Sequence, residues 1–117
     1  MTNIVDYLLI GNTRLHWAFN INSSYKFSHT LVNDSLPKNI DFRKLIWASV
    51  GKYHTNNLLK KNQVTIKDIN LKNIPHILGI DRALVCFGAL SIFKNKLSKN
   101  LLIVDLGTTV SITKIDH

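Results

Sequence analysis

Two segments of the chain share one design. The first is Leu8-Leu9-Ile10-Gly11-Asn12-Thr13-Arg14-Leu15-His16-Trp17, and the second is Leu102-Ile103-Val104-Asp105-Leu106-Gly107-Thr108-Thr109-Val110-Ser111. Each is an apolar run, a Gly-Asn-Thr or Gly-Thr-Thr corner, and a second apolar run, which predicts a β-hairpin. A corner glycine has no Cβ, so a ligand can approach the backbone closely. Successive amide N–H groups in a tight turn make a concavity that suits an anion. Either corner alone is also simply a good hairpin turn. Two of them with Gly79-Ile80-Asp81-Arg82 between them form a more specific pattern, which points to phosphate.

With 117 residues, 45% of them hydrophobic, the chain can build a core and is not a disordered tail. No apolar run approaches the roughly 20 residues of a membrane span. Met1 to Asp6 lacks the basic and apolar regions of a secretion signal. The single cysteine, Cys86, lies in a helical apolar pattern and reads as a buried thiol. These features point to a cytoplasmic protein. The net charge of +8 fits an anionic partner, nucleotide or nucleic acid. The lysine-rich solvated surface is the better fit, because the basic residues are scattered and only Arg43-Lys44 and Lys60-Lys61 are adjacent.

The pattern along the chain predicts strands at 7–10, 14–20 and 25–32. Leu15, Trp17 and Phe19 share one face of the second, and Tyr25, Phe27, His29 and Leu31 one face of the third. A central strand follows at 44–49, a short helix at 52–61, a brief strand at 64–66, and a loop at 70–78 through Pro75. A helix runs from Asp81 to near Leu97, then a buried strand at 101–105 and its hairpin partner at 109–115. Three antiparallel strands followed by alternating helices and strands predict an α/β domain of the ribonuclease-H-like kind.

The Gly-Asn-Thr corner, Gly79-Ile80-Asp81-Arg82 and Asp105-Leu106-Gly107-Thr108 together resemble the motifs of the type III pantothenate kinases, in the actin/Hsp70/sugar-kinase superfamily. The resemblance runs from about Leu8 to the last residues and covers the front half of a typical member. It implies an actin-like ATPase domain over 1–100, followed at 101–117 by the first hairpin of a second domain that is missing. ATP in that superfamily lies between two such domains. It further implies transfer of the ATP γ-phosphoryl group to pantothenate, the first step of coenzyme A synthesis. Asp81 would be the catalytic base, and Gly79, Ile80, Asp81 and Arg82 would line the substrate site. Gly11, Asn12, Thr13, Arg14, His16 and Thr108 would bind ATP, and Asp105 a potassium or ammonium ion, with Mg²⁺ arriving on ATP. Family members are homodimers, so the resemblance implies one here, with no nucleic-acid or membrane partner.

Three positions depart from the family pattern. Leu9 stands in place of its aspartate, which removes a carboxylate able to hold Mg²⁺ or its waters. His16 stands where lysine is common, and Lys72 where a pocket tyrosine is common. Each candidate also has a purely structural reading: Asp81 as a helix cap, Arg82 in a surface ion pair, Asp105 bonded within its own turn, His16 as an ordinary strand residue. Two further functions fit the composition, an inactive remnant serving as an interaction module and a small basic nucleic-acid-binding domain. With the second domain missing, the chain is expected to bind ATP weakly and turn over little pantothenate.

Overall fold

A computed structural model describes residues 4–52, 57–94, 100–107 and 109–116. The chain divides into two compact units, Met1–Asp68 and Ile69–His117. Together they are mixed α/β, with a four-stranded sheet, a two-stranded ribbon and one α-helix among the described residues.

The first unit is built on the sheet order β3-β2-β1-β4. Strand β1 (Asp6–Ile10) turns at Gly11 into antiparallel β2 (Arg14–Ile21), and β2 turns into antiparallel β3 (Ser24–Leu31). The second turn places Asn22 and Ser23 at φ of 51° and 63°. That left-handed pair matches the twist of a two-residue hairpin. Strand β4 (Leu45–Ser49) lies parallel to β1.

Alternation along these strands sends Leu8, Ile10, Leu15, Trp17, Leu45 and Trp47 into one buried cluster, partly covered by Phe19, Val32, Leu36, Ile40, Phe42 and Leu58. Both buried indoles keep a partner for their N–H, as such groups require. Trp17 Nε1 donates to Thr30 Oγ1 at 3.0 Å, and Trp47 Nε1 donates to the Leu59 carbonyl at 3.0 Å. The expected inward face of Leu15, Trp17 and Phe19 is therefore realised. The rings of Trp17 and Phe19 stack at 5.4 Å.

Three sequence expectations need correction here. Among the described residues strand β4 is not central: it ends the sheet, and its outer side makes an isolated parallel bridge between Trp47 and Gln63. The expected strand at 64–66 is not formed, and the bridge lies one residue before it at Gln63. Asp68 Oδ2 accepts from the Thr65 N–H and hydroxyl at 2.7 and 2.9 Å and winds 66–68 into a 3-10 turn. These same bonds hold the Asp68 carboxyl below the usual carboxylate range. The expected helix at 52–61 is also not formed among the described residues. Residues 57–59 are irregular and 60–62 make a 3-10 turn, since two adjacent leucines cannot supply a helical apolar stripe.

The second unit holds α1 (Ile80–Phe93) and a ribbon of β5 (Asn100–Leu106) against β6 (Val110–Asp116). Gly79 caps the helix and Asp81 is its second residue, two positions later than a capping aspartate would occupy. Residue Leu97, expected near the helix end, lies outside the described residues. The helix buries Ile80, Ala83 and Cys86, and burial pushes the Cys86 thiol up, as the buried-thiol reading anticipates. The ribbon corrects another expectation, because β5 is apolar but not buried. Leu102, Val104, Leu106, Val110 and Ile112 are each more than half exposed. No helix among the described residues is long and apolar enough to cross a membrane.

Candidate phosphate and substrate site

The first glycine corner is a closed turn. The Gly11 N–H donates to the Arg14 carbonyl at 2.9 Å, and the Val32 N–H donates to the Thr13 carbonyl at 3.1 Å. A Cβ on Gly11 would stand 3.1 Å from the Arg14 carbonyl oxygen and 3.5 Å from His16 Nε2. A side chain here would press the Arg14 carbonyl back by a few tenths of an ångström. No described glycine has a positive φ. Asn12, Thr13, Arg14 and His16 are exposed around this corner, so the structure brings five of the predicted nucleotide residues to one end of the β1–β2 hairpin. Leu9 pairs with His16 on one side and Ala48 on the other. No carboxylate stands at that strand position.

A cavity of about 170 Å³ opens beside the corner, lined by Arg14, His29, Thr30, Leu31 and Asp34. His29 sits directly across from His16 in the β2–β3 register, and their Nδ1 atoms lie 2.8 Å apart. The rings meet edge to face at 81° with centroids 4.8 Å apart. His29 carried no functional role in the sequence. Its signal there was its place on the Tyr25, Phe27, His29, Leu31 face, combined with the hairpin register that sets residues 16 and 29 opposite each other.

Gly79, Ile80, Asp81 and Arg82 form the first turn of α1. Peptide N–H groups at a helix N-terminus favour an anion, so the Asp81 carboxylate is at home there. It folds back over the cap: a Cβ on Gly79 would lie 2.6 Å from Asp81 Oδ1. Asp81 and Arg82 are half-buried, whereas Ile80 is 7% exposed. Ile80 can therefore offer a ligand its backbone but little side chain. Gly79→Ala is expected to displace the Asp81 carboxylate while the extended Gly79 backbone accepts the methyl group. Thermal unfolding should shift by about 1 kcal/mol or less. Any phosphoryl transfer should fall about 10- to 100-fold, the usual cost of misplacing a reacting group. Equal transfer rates in both proteins would refute this placement.

The second corner joins β5 to β6. Gly107 N–H donates to the Thr109 carbonyl at 3.2 Å. Asp105 pairs in register with Ser111 and is exposed. It is therefore not a buried charge in need of a counter-ion, as its apolar strand suggested. Thr108 lies outside the described residues. Among the described residues no three His, Cys, Asp or Glu side chains gather as a metal cluster.

No protein-family profile matches the chain, and no solved structure matches it. Two curated proteins do. The type III pantothenate kinase of Thermosynechococcus vestitus is 33% identical over 117 residues, which is 96% of this chain and 44% of that protein. The type III pantothenate kinase of Synechocystis sp. is 33% identical over 118 residues, 94% of this chain and 44% of that protein. The chain thus spans less than half the length of these relatives. The resemblance read in the glycine corners and in Gly79 to Arg82 extends along the sequence, and the chain is similar to these two type III pantothenate kinases over nearly all of its own length.

Proposed function

We propose that this chain carries the phosphate corners and the catalytic base of a pantothenate kinase. The observation that carries the reading is the similarity to two such kinases over 94–96% of the chain. In this reading the fold is ribonuclease-H-like, with 1–100 forming the first actin-like domain and 101–117 opening a second. Gly11, Asn12, Thr13, Arg14 and His16 hold phosphate oxygens, with Thr108 doing so at the second corner. The exposed Asn12, Thr13, Arg14 and His16 around this corner fit a polyphosphate, which needs donors open to solvent.

Asp81 accepts the proton of the pantothenate hydroxyl as that oxygen attacks the γ-phosphorus and the bond to the β-phosphate oxygen breaks, releasing ADP. Arg82 binds the substrate carboxylate through paired N–H donors. Mg²⁺ arrives bound to ATP, since Leu9 leaves no carboxylate at that position of the first corner. Asp105 supplies one exposed oxygen donor for potassium or ammonium. The protein is taken to work in the cytoplasm as a homodimer.

The cation role yields its own expectation. Asp105→Ala should abolish any potassium dependence of ATP affinity and leave thermal stability within about 0.5 kcal/mol, as for an exposed substitution. Isothermal titration of ATP in potassium and in sodium buffer is the check. Equal affinity of the unsubstituted chain in both buffers would remove Asp105 from the cation site. The broader reading is tested by incubating the chain with labelled ATP, Mg²⁺, potassium and pantothenate, where phosphopantothenate is expected only in small amount, well below the roughly 1 s⁻¹ of ordinary enzyme turnover.

A further inference from the structure

We propose that His29 is a positioning residue for His16, and that the two imidazoles act as one proton-sharing cation that recognises an oxyanion at the first glycine corner. The proposal rests on the reading of that corner as a phosphate site. Its basis is geometric. His16 and His29 are direct cross-strand partners, a placement that brings side chains into contact. Their Nδ1 atoms are 2.8 Å apart, so one must carry hydrogen and the other a lone pair. The opposite edge of the His16 ring, Nε2 and Cδ2, lies 3.5 and 3.8 Å from where a Gly11 Cβ would stand. One imidazole is therefore pressed against the phosphate corner and tied through its other nitrogen to a second imidazole.

The proton count follows from this arrangement. A neutral pair has one Nδ1–H and one Nδ1 acceptor. One added proton makes an imidazolium that donates to a neutral partner, a charge-assisted bond stronger than a neutral one. A second added proton sets N–H against N–H and breaks the bond. The pair thus takes up one positive charge readily and resists the next. Among the described residues, the charged groups that line the cavity with His29 are Arg14, two residues before His16 on β2, and Asp34. From β1 the residue facing His16 is the apolar Leu9. Imidazole is the side chain whose charge ordinarily changes between pH 5 and 8, and joined at Nδ1 the pair can hold one added proton between its two rings. One unit charge a few ångströms from an anion at a wet surface is worth roughly a three- to tenfold gain in affinity.

The test titrates sulfate, whose charge is constant over this range, into the full chain and follows the amide signals of Gly11, Asn12 and Thr13. Affinity at pH 6 should exceed that at pH 8 by about three- to tenfold. His29→Phe keeps an aromatic ring but removes the acceptor, and should move the midpoint of the gain down by about half a pH unit or more. His29→Gln retains an acceptor and should restore much of that shift. His16→Lys should bind sulfate equally at both pH values. Sulfate binding that is independent of pH in the unsubstituted chain, or a midpoint unmoved by His29→Phe, would overturn the paired role while His16→Lys binding preserved the phosphate corner. Failure of both the unsubstituted chain and His16→Lys to bind sulfate would overturn the corner as an anion site, and the pair's role with it.

Discussion

If the proposed role of Asp81 holds, Asp81→Asn is expected to lower any phosphoryl transfer to pantothenate by about 10²–10⁴-fold, the range for removing a general base. The substitution keeps the shape of the side chain and removes its ability to accept a proton. Its structural cost is small. Gly79, not Asp81, caps α1, and no side-chain cap bond is lost. What disappears is a favourable charge at the helix N-terminus, worth about 0.3–1 kcal/mol. Activity and stability should therefore separate sharply. Radiolabelled transfer and thermal unfolding measured on the same preparation provide the check. A rate loss below about threefold, with the stability loss intact, would leave Asp81 as a helix-end charge with no part in the chemistry.

Trp17→Ala is expected to cost the first unit about 3–5 kcal/mol, the range for deleting a buried aromatic side chain. Trp17 is 2% exposed, belongs to the central cluster, stacks on Phe19 and satisfies Thr30. Domains are stable by about 5–15 kcal/mol in total, so the loss would leave much of the population near unfolding. Trp17→Phe retains the ring contact and loses the indole bond, and should cost clearly less. Chemical denaturation followed by circular dichroism distinguishes the two. A shift under about 1 kcal/mol for Trp17→Ala would show that the cluster is not the unit's core.

The first three strands were readable from their apolar runs and the turn residues between them, although the Tyr25, Phe27 and Leu31 face of β3 is exposed. Leu15 and Trp17 face inward and Arg14 and His16 outward, and the breaks fall at Gly11 and at Asn22-Ser23. The helix was readable from its apolar spacing. Its start was displaced by one residue, because glycine serves as cap as well as aspartate does. The ribbon misled because Leu102, Val104 and Ile112 announce strand propensity but not what covers them. The apolar pattern predicts burial only where a partner surface exists. The strand at 64–66 failed for a local reason, as Asp68 captures Thr65 and closes a turn before pairing can extend.

The site divided in the same way. Gly11 to Arg14 and Gly79 to Arg82 are contiguous motifs, so their residues were visible in the sequence. The His16–His29 contact joins positions 13 residues apart and becomes visible only once the β2–β3 register is known. Ile80 sits in a motif expected to line a ligand site, yet it is buried, because every helix that starts at a site must also anchor itself.

The central claim is that the corner at Gly11 and the start of α1 are separate binding elements, one for polyphosphate and one for pantothenate. Amide chemical-shift mapping on the 117-residue chain tests it directly and does not depend on turnover. Mg²⁺-ATP should perturb Gly11, Asn12, Thr13 and Gly107, and pantothenate should perturb Gly79, Asp81 and Arg82. Perturbations by both ligands that leave these residues unmoved would contradict the account.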